Sequence, residues 1–238
     1  MDASQRSRSD GEAGGRRRGR PLRPTAPATH PGLPIDNPLS SLPPTARFIL
    51  ETARRLLLEK GYAALTIENV ALEAHETTTA VKHHFISKAG LVEALLDAVD
   101  HDAYVDLTRE VEALPPGEAR IHAYITGLYY VIADAAASQA IFEIAPQAIR
   151  DPLLRTRIAA LYDWYRELTL RESGILALLD AHEDPPPETR ARLETLATLV
   201  LAALDGLAYQ YALDPEHFDS AAALAMLDEM VRAAVARL

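Results

Sequence analysis

Between Thr66 and Lys88 the chain gathers side chains suited to gripping phosphates and reading base edges. Three threonines run together at Thr77, Thr78 and Thr79, followed by Lys82, the pair His83-His84, and Ser87-Lys88. Hydroxyls donate to and accept from phosphate oxygens and base edges, and a threonine methyl can pack on a thymine methyl. A lysine adds a point charge, and the free N–H groups at the start of a helix bind the same anion. Other chemistries lack their residues. The chain has no cysteine, hence no thiolate ligand or thiol nucleophile. It also has no Glu-x-x-His pair, nucleophile elbow or glycine-rich phosphate loop, so no catalytic residue is assigned and no cofactor is expected. His75, His83 and His84 lie near one another in sequence, but nothing supports them as metal ligands, and no metal site is predicted.

Three short helices must position these groups. The first is predicted over about Pro44–Lys60, with Pro44 suited to the first turn and Ile49, Ala53, Leu56 and Leu57 forming an apolar stripe. Gly61 supplies a left-handed residue that ends it, and Tyr62 folds back. The second starts after the N-cap Thr66, buries Ile67, Val70, Ala71 and Ala74, and ends near His75. The third is capped by Thr77 and runs from Thr78 to about Phe85, with Ala80, Val81, His84 and Phe85 facing inward. Threonines are poor helix formers, so three in a row at the tip of a short helix call for another reason. Thr78, Thr79, Lys82 and His83 remain on the outer face. Thr78 and Thr79 are read as base contacts, while His83 stays open between a base contact and idle surface. Thr66 and Thr77 are caps first and phosphate contacts in addition. Ser87 and Lys88 are phosphate anchors at the start of a fourth helix, and Arg47 joins the DNA-facing set from the first.

The stretch Thr45–Leu91 resembles the DNA-binding module of the TetR family of transcriptional regulators. The resemblance rests on Gly61-Tyr62, on Thr66 before the second helix, and on the ending His84-Phe85-Ile86-Ser87-Lys88-Ala89-Gly90-Leu91. There are two departures: His75 follows Ala74 where the family usually has a glycine, and Lys82 replaces a tyrosine that usually touches phosphate. The resemblance implies a ligand-responsive regulator, usually a repressor, that binds a near-palindromic double-stranded operator as a homodimer. The alternative is a helical-bundle enzyme or ligand-binding protein for a small apolar molecule.

A net charge of −10 looks wrong for a DNA binder until it is divided by position. Residues 1–90 hold 13 Lys/Arg against 9 Asp/Glu, net +4, and residues 91–238 hold 11 against 25, net −14. Such asymmetry suits a chain that approaches phosphates with one end only. Residues 1–43, rich in Arg, Pro, Ser and Gly, are read as a disordered arm. Within it Arg18-Gly19-Arg20-Pro21 resembles the core of AT-hook minor-groove binders, with a nonspecific electrostatic arm as the alternative. The uncharged stretches Ile121–Ala133 and Thr195–Leu204 are too short to span a bilayer, and no apolar run follows the N-terminal arginines. A cytoplasmic protein is expected.

The rest of the chain reads as all-α, for about nine helices in total. Three domains are expected: the arm over 1–43, the helix-turn-helix over 44–90, and a regulatory and dimerisation domain over 91–238. Its helices are predicted over about Lys88–Leu114, Glu118–Ser138, Gln139–Arg150, Pro152 to Ser173-Gly174, Glu188–Leu213 and Glu216–Arg237. Between Leu193 and Tyr211 the chain is apolar nearly all round, which predicts burial on two sides. The last two helices (188–213 and 216–238) from each of two chains would form a four-helix bundle across a two-fold axis. The family resemblance implies a ligand pocket among the middle helices. Its candidates are Tyr124, Tyr129, Tyr130, Phe142, Glu143, Gln147, Trp164 and Tyr165, each aromatic being either core or pocket wall. Glu143 and Gln147 would orient the ligand.

Overall fold

The computed structural model describes residues 41–98, 101–178 and 185–238. The arginine arm, including Arg18–Pro21, lies outside the described residues. Among them there are eleven helices and no strand: α1 Pro44–Ala64, α2 Ile67–Glu73, α3 Thr78–Phe85, α4 Lys88–Ala98, α5 His101–Glu112, α6 Glu118–Ala133, α7 Ala135–Ala148, α8 Pro152–Glu172, α9 Ile175–Leu178, α10 Pro187–Leu213 and α11 Ser220–Val235.

The count exceeds the expected nine for local reasons. Over the helix expected at Lys88–Leu114, α4 runs to Ala98 and α5 starts at His101, and residues 99–100 between them lie outside the described residues. The helix expected to reach Ser138 stops at Ala133, because Asp134 adopts an extended conformation (φ −53°, ψ 126°). A new helix then starts at Ala135, four residues before the expected Gln139. Pro146 is tolerated in it because it lies in the last turn, where its missing N–H removes a single bond. Gly174, at φ 76°, turns the chain into the short α9. α11 begins at Ser220 rather than Glu216, because the Asp219 carboxylate accepts the Ala222 N–H at 2.9 Å and caps it there.

Two hydrophobic cores result. The first joins Ile49, Leu57, Val70, Val81 and Leu91 of α1–α4 to Ala140, Ile144 and Ala148 of α7 and Leu154 and Ile158 of α8. The second collects α5, α6, the end of α8, α9, α10 and α11 around Tyr104, Tyr124, Leu128, Leu193 and Leu204, and Tyr162 packs against both. The first core thus joins the N-terminal helices to α7 and α8.

α10 departs from its expected burial on two sides. Leu193, Ala197, Val200, Leu201, Leu204 and Ala208 are buried against the second core, but Leu199 is 62 % exposed, and Tyr209, Tyr211 and Leu213 are exposed too. α11 leaves Met226 and Met230 open in the same way. The chain's own helices cover one side only. By length and composition the 27-residue α10 could also cross a membrane, which a reading of short uncharged stretches does not reveal. Its buried seam, from Leu193 to Ala208, packs in the second core.

Candidate nucleic-acid interface

Two threonine caps frame the helix-turn-helix. Thr66, in extended conformation, accepts the Asn69 N–H on its Oγ1 at 3.1 Å, and Asn69 Nδ2 donates to the Ala64 carbonyl at 2.9 Å. α2 ends in a Schellman turn. The Glu76 N–H bonds to the Ala71 carbonyl at 2.9 Å and the His75 N–H to that of Leu72 at 3.2 Å, with His75 left-handed at φ 53°. The histidine found where the family usually has glycine therefore adopts the glycine's conformation, at a cost of about 1 kcal/mol. Thr77 then accepts the Ala80 N–H at 3.0 Å and starts α3. Exposed ion pairs from Glu73 to Lys60 (2.7 Å) and Arg55 (3.8 Å) link α2 to α1, and solvent screening keeps their contribution small.

On α3 the apolar spacing decides which side chains face out. Val81 and Phe85 are buried, and Ala80 and His84 are half-buried. Burial first, and then the neighbouring His83, hold the His84 imidazole below its usual range. Thr78, Thr79, Lys82 and His83 form the exposed face, and among the described residues no hydrogen bond or ion pair engages their side chains. Arg47 is exposed at the start of α1.

The junction to α4 is tight. Ile86 sits at φ 65°, ψ −52°, and the Ser87 N–H closes a γ-turn to the Phe85 carbonyl at 2.6 Å. Ser87 Oγ accepts the Gly90 N–H at 3.2 Å, so this hydroxyl caps α4. Lys88 is placed differently from a free phosphate anchor. Its ammonium donates to the Tyr62 carbonyl at 2.9 Å and lies 3.8 Å from the centroid of that ring. Burial lowers its pKa, and the contact pins the start of α4 to the end of α1.

Of the eight residues considered for an effector site, Tyr124, Tyr129, Trp164 and Tyr165 share the second core, whereas Glu143 reaches the end of α1. Tyr124 is fully buried, with its hydroxyl 3.1 Å from Thr169 Oγ1, and burial raises its pKa. Tyr129 is also buried in the second core, whereas Tyr130 is 63 % exposed. Trp164 and Tyr165 cluster with Tyr104, with ring centroids 5.0–5.6 Å apart. Phe142 packs edge-on against Tyr209 at 5.1 Å. Gln147 is exposed, and Glu143 accepts the Tyr62 N–H at 3.0 Å, across in the first core. Sequence reading missed Tyr104, Tyr162 and Asp205. Tyr162 donates to Asp205 Oδ2 at 2.6 Å, and burial raises the carboxyl's pKa. One signal was available: Asp205 is a lone charge inside an apolar helix, and such a charge needs a partner. Among the described residues no cluster of His, Asp or Glu is placed to hold a metal ion.

A capped short helix held across another, with hydroxyl, cationic and imidazole side chains on its open face, defines a helix-turn-helix DNA-binding protein. Residues 49–95 match the family of bacterial regulatory proteins, tetR family. The HTH-type transcriptional regulator YvkB of Bacillus subtilis is 43 % identical over 53 residues, which cover 22 % of this chain but only 28 % of YvkB. The HTH-type transcriptional regulator BetI of Burkholderia mallei is 27 % identical over 189 residues, covering 77 % of this chain and 89 % of BetI. A putative transcriptional regulator from Pseudomonas aeruginosa PAO1 has the same fold, with a TM-score of 0.62 at 21 % identity over 84 % of this chain and 95 % of that one. Residues 49–95 thus carry a tetR-family DNA-binding domain, and over most of its length the chain is similar to HTH-type transcriptional regulators.

Proposed function

We propose that the chain is a homodimeric repressor that binds a near-palindromic operator and is released by a small-molecule effector. The observation that carries this reading is the open face of α3. Thr78, Thr79, Lys82 and His83 are exposed on a helix whose other side is locked into the core. In this reading Thr78, Thr79 and His83 meet base edges, while Arg47, Thr66, Thr77, Lys82 and Ser87 take phosphates. Lys88 adds its charge to the same end while it holds Tyr62.

The exposed apolar faces of α10 and α11 supply the dimer. Leu199, Leu213, Met226 and Met230 would be covered by the same faces of a second copy, making a four-helix bundle. The two α3 helices would then enter successive major grooves about 34 Å apart. An effector bound in the regulatory domain, beside the Tyr104–Trp164–Tyr165 cluster, would shift the population toward a spacing that no longer fits. The arm over residues 1–43 adds a minor-groove or purely electrostatic contact, and the protein works in the cytoplasm, where its operator lies.

Footprinting of the DNA flanking the gene with purified protein tests the reading. It predicts a protected, near-palindromic site, followed by release when a metabolite library is screened against the complex. Absence of any protected site, at low salt and micromolar dimer, would sink it.

A further inference from the structure

The face that α7 turns toward the helix-turn-helix module carries one charged group. α7 buries Ala140, Ile144 and Ala148 in the first core, and Glu143, next to Ile144, reaches the end of α1. There its Oε2 accepts the Tyr62 N–H at 3.0 Å. That N–H is available because Gly61, at φ 76° and ψ 174°, swings the chain off its helical path. A Cβ at Gly61 would stand 3.2 Å from the same carboxylate oxygen, so the glycine serves both the turn and the close approach. The carbonyl of Tyr62 is held from the other side by Lys88 of α4, which also covers the ring. A single residue, Tyr62, is thus gripped by α7 and by the start of α4.

We propose that Glu143 is the positioning residue that sets the angle at which the helix-turn-helix module leaves the regulatory body. The inference rests on the reading of a dimer on a two-part operator, where two recognition helices must arrive with fixed spacing. The apolar contacts of α7 are non-directional, whereas a carboxylate on a backbone N–H fixes one geometry. Without Glu143 the module keeps its fold but can pivot on its apolar seat. That freedom must be lost again on the operator, and loss of a charge-assisted bond corresponds to about tenfold in affinity.

The test uses the full chain and the footprinted operator, together with the same duplex lengthened by two base pairs between its half-sites. Glu143→Ala should weaken binding at native spacing by about tenfold and shrink the native-to-lengthened affinity ratio by at least about threefold. Glu143→Gln keeps an oxygen acceptor and should stay near wild type. Glu143→Asp, one methylene too short, should follow Glu143→Ala. If the alanine variant does not fold, the Asp and Gln pair carries the comparison. An unchanged spacing ratio in the Asp and Ala variants, or equal loss at both spacings, would overturn the proposal. A wild-type chain with no footprint would overturn the proposed function and this inference together.

Discussion

Substitution of Thr77 separates two duties assigned to one hydroxyl. Its Oγ1 accepts the Ala80 N–H at 3.0 Å, which satisfies one of the donors left open at the start of α3. α3 has eight residues and begins with weak helix formers, so it has little else to hold its first turn. Thr77→Ala should cost about 1 kcal/mol, roughly a fivefold shift in the opening equilibrium of α3. In calorimetry this is a loss of about 2–4 °C in Tm, and in hydrogen exchange a roughly fivefold faster rate for the α3 amides. Thr77→Ser should restore both. Thr77→Asp is the informative variant. Aspartate caps as well as threonine and favours the helix dipole by about 0.3–1 kcal/mol, so stability should match or exceed wild type. A carboxylate some 4 Å from a phosphate costs between about 1 kcal/mol in water and about 4 kcal/mol at an effective dielectric of 20. Acting in both protomers, it should weaken operator binding by tenfold or more at low salt, and by less as salt screens it. Calorimetry and fluorescence anisotropy on the same three variants decide the matter. An aspartate variant that melts with the alanine variant refutes the cap, and one that binds DNA like wild type refutes the phosphate contact.

Three further outcomes are expected. Lys82→Ala should lower operator affinity and reduce the slope of log affinity against log salt by about 1, with Tm unchanged, because the side chain is exposed; an unchanged slope removes Lys82 from the phosphate contacts. Leu199→Asp combined with Met230→Asp should turn the dimer into a folded monomer in analytical ultracentrifugation, since both side chains are 62 % exposed within one chain; a dimer that persists would place the interface elsewhere. The His84 pKa lies below its unfolded value, so the unfolded chain binds more protons as pH falls. Stability should therefore be full above about pH 6.5 and decline as pH drops through the lowered folded value. His84→Gln should flatten that decline in urea titrations run between pH 7.5 and 5, and an equally steep decline would assign the effect to another group.

The helix-turn-helix was legible because each of its boundaries is a local event. Thr66 and Thr77 cap through their own hydroxyls, Gly61 takes a left-handed turn, and Val81 and Phe85 mark the inner face of α3 by spacing alone. The regulatory half was less legible because its boundaries are set by packing. Nothing in the residues around Asp134 forbids a continuous helix, yet the chain breaks there and α7 starts early enough to seat Ala140, Ile144 and Ala148 on α1. α10 is apolar on both sides for two different reasons, a core on one side and an open face on the other, and composition cannot tell these apart. Glu143 had the right chemistry but the wrong address. Its partner, 81 residues earlier in the chain, is a backbone N–H and so leaves no mark in the sequence.

The first core also sets the order in which the protein can be made. Its α1–α4 portion emerges from the ribosome well before Ala140, Ile144, Ala148, Leu154 and Ile158, the residues that close it. At about 5–20 residues per second, the DNA-binding half must wait several seconds with part of its apolar surface uncovered. The nascent module is thus an incomplete folding unit, and an operator-reading fragment cut at residue 90 would carry the same exposed seat for α7.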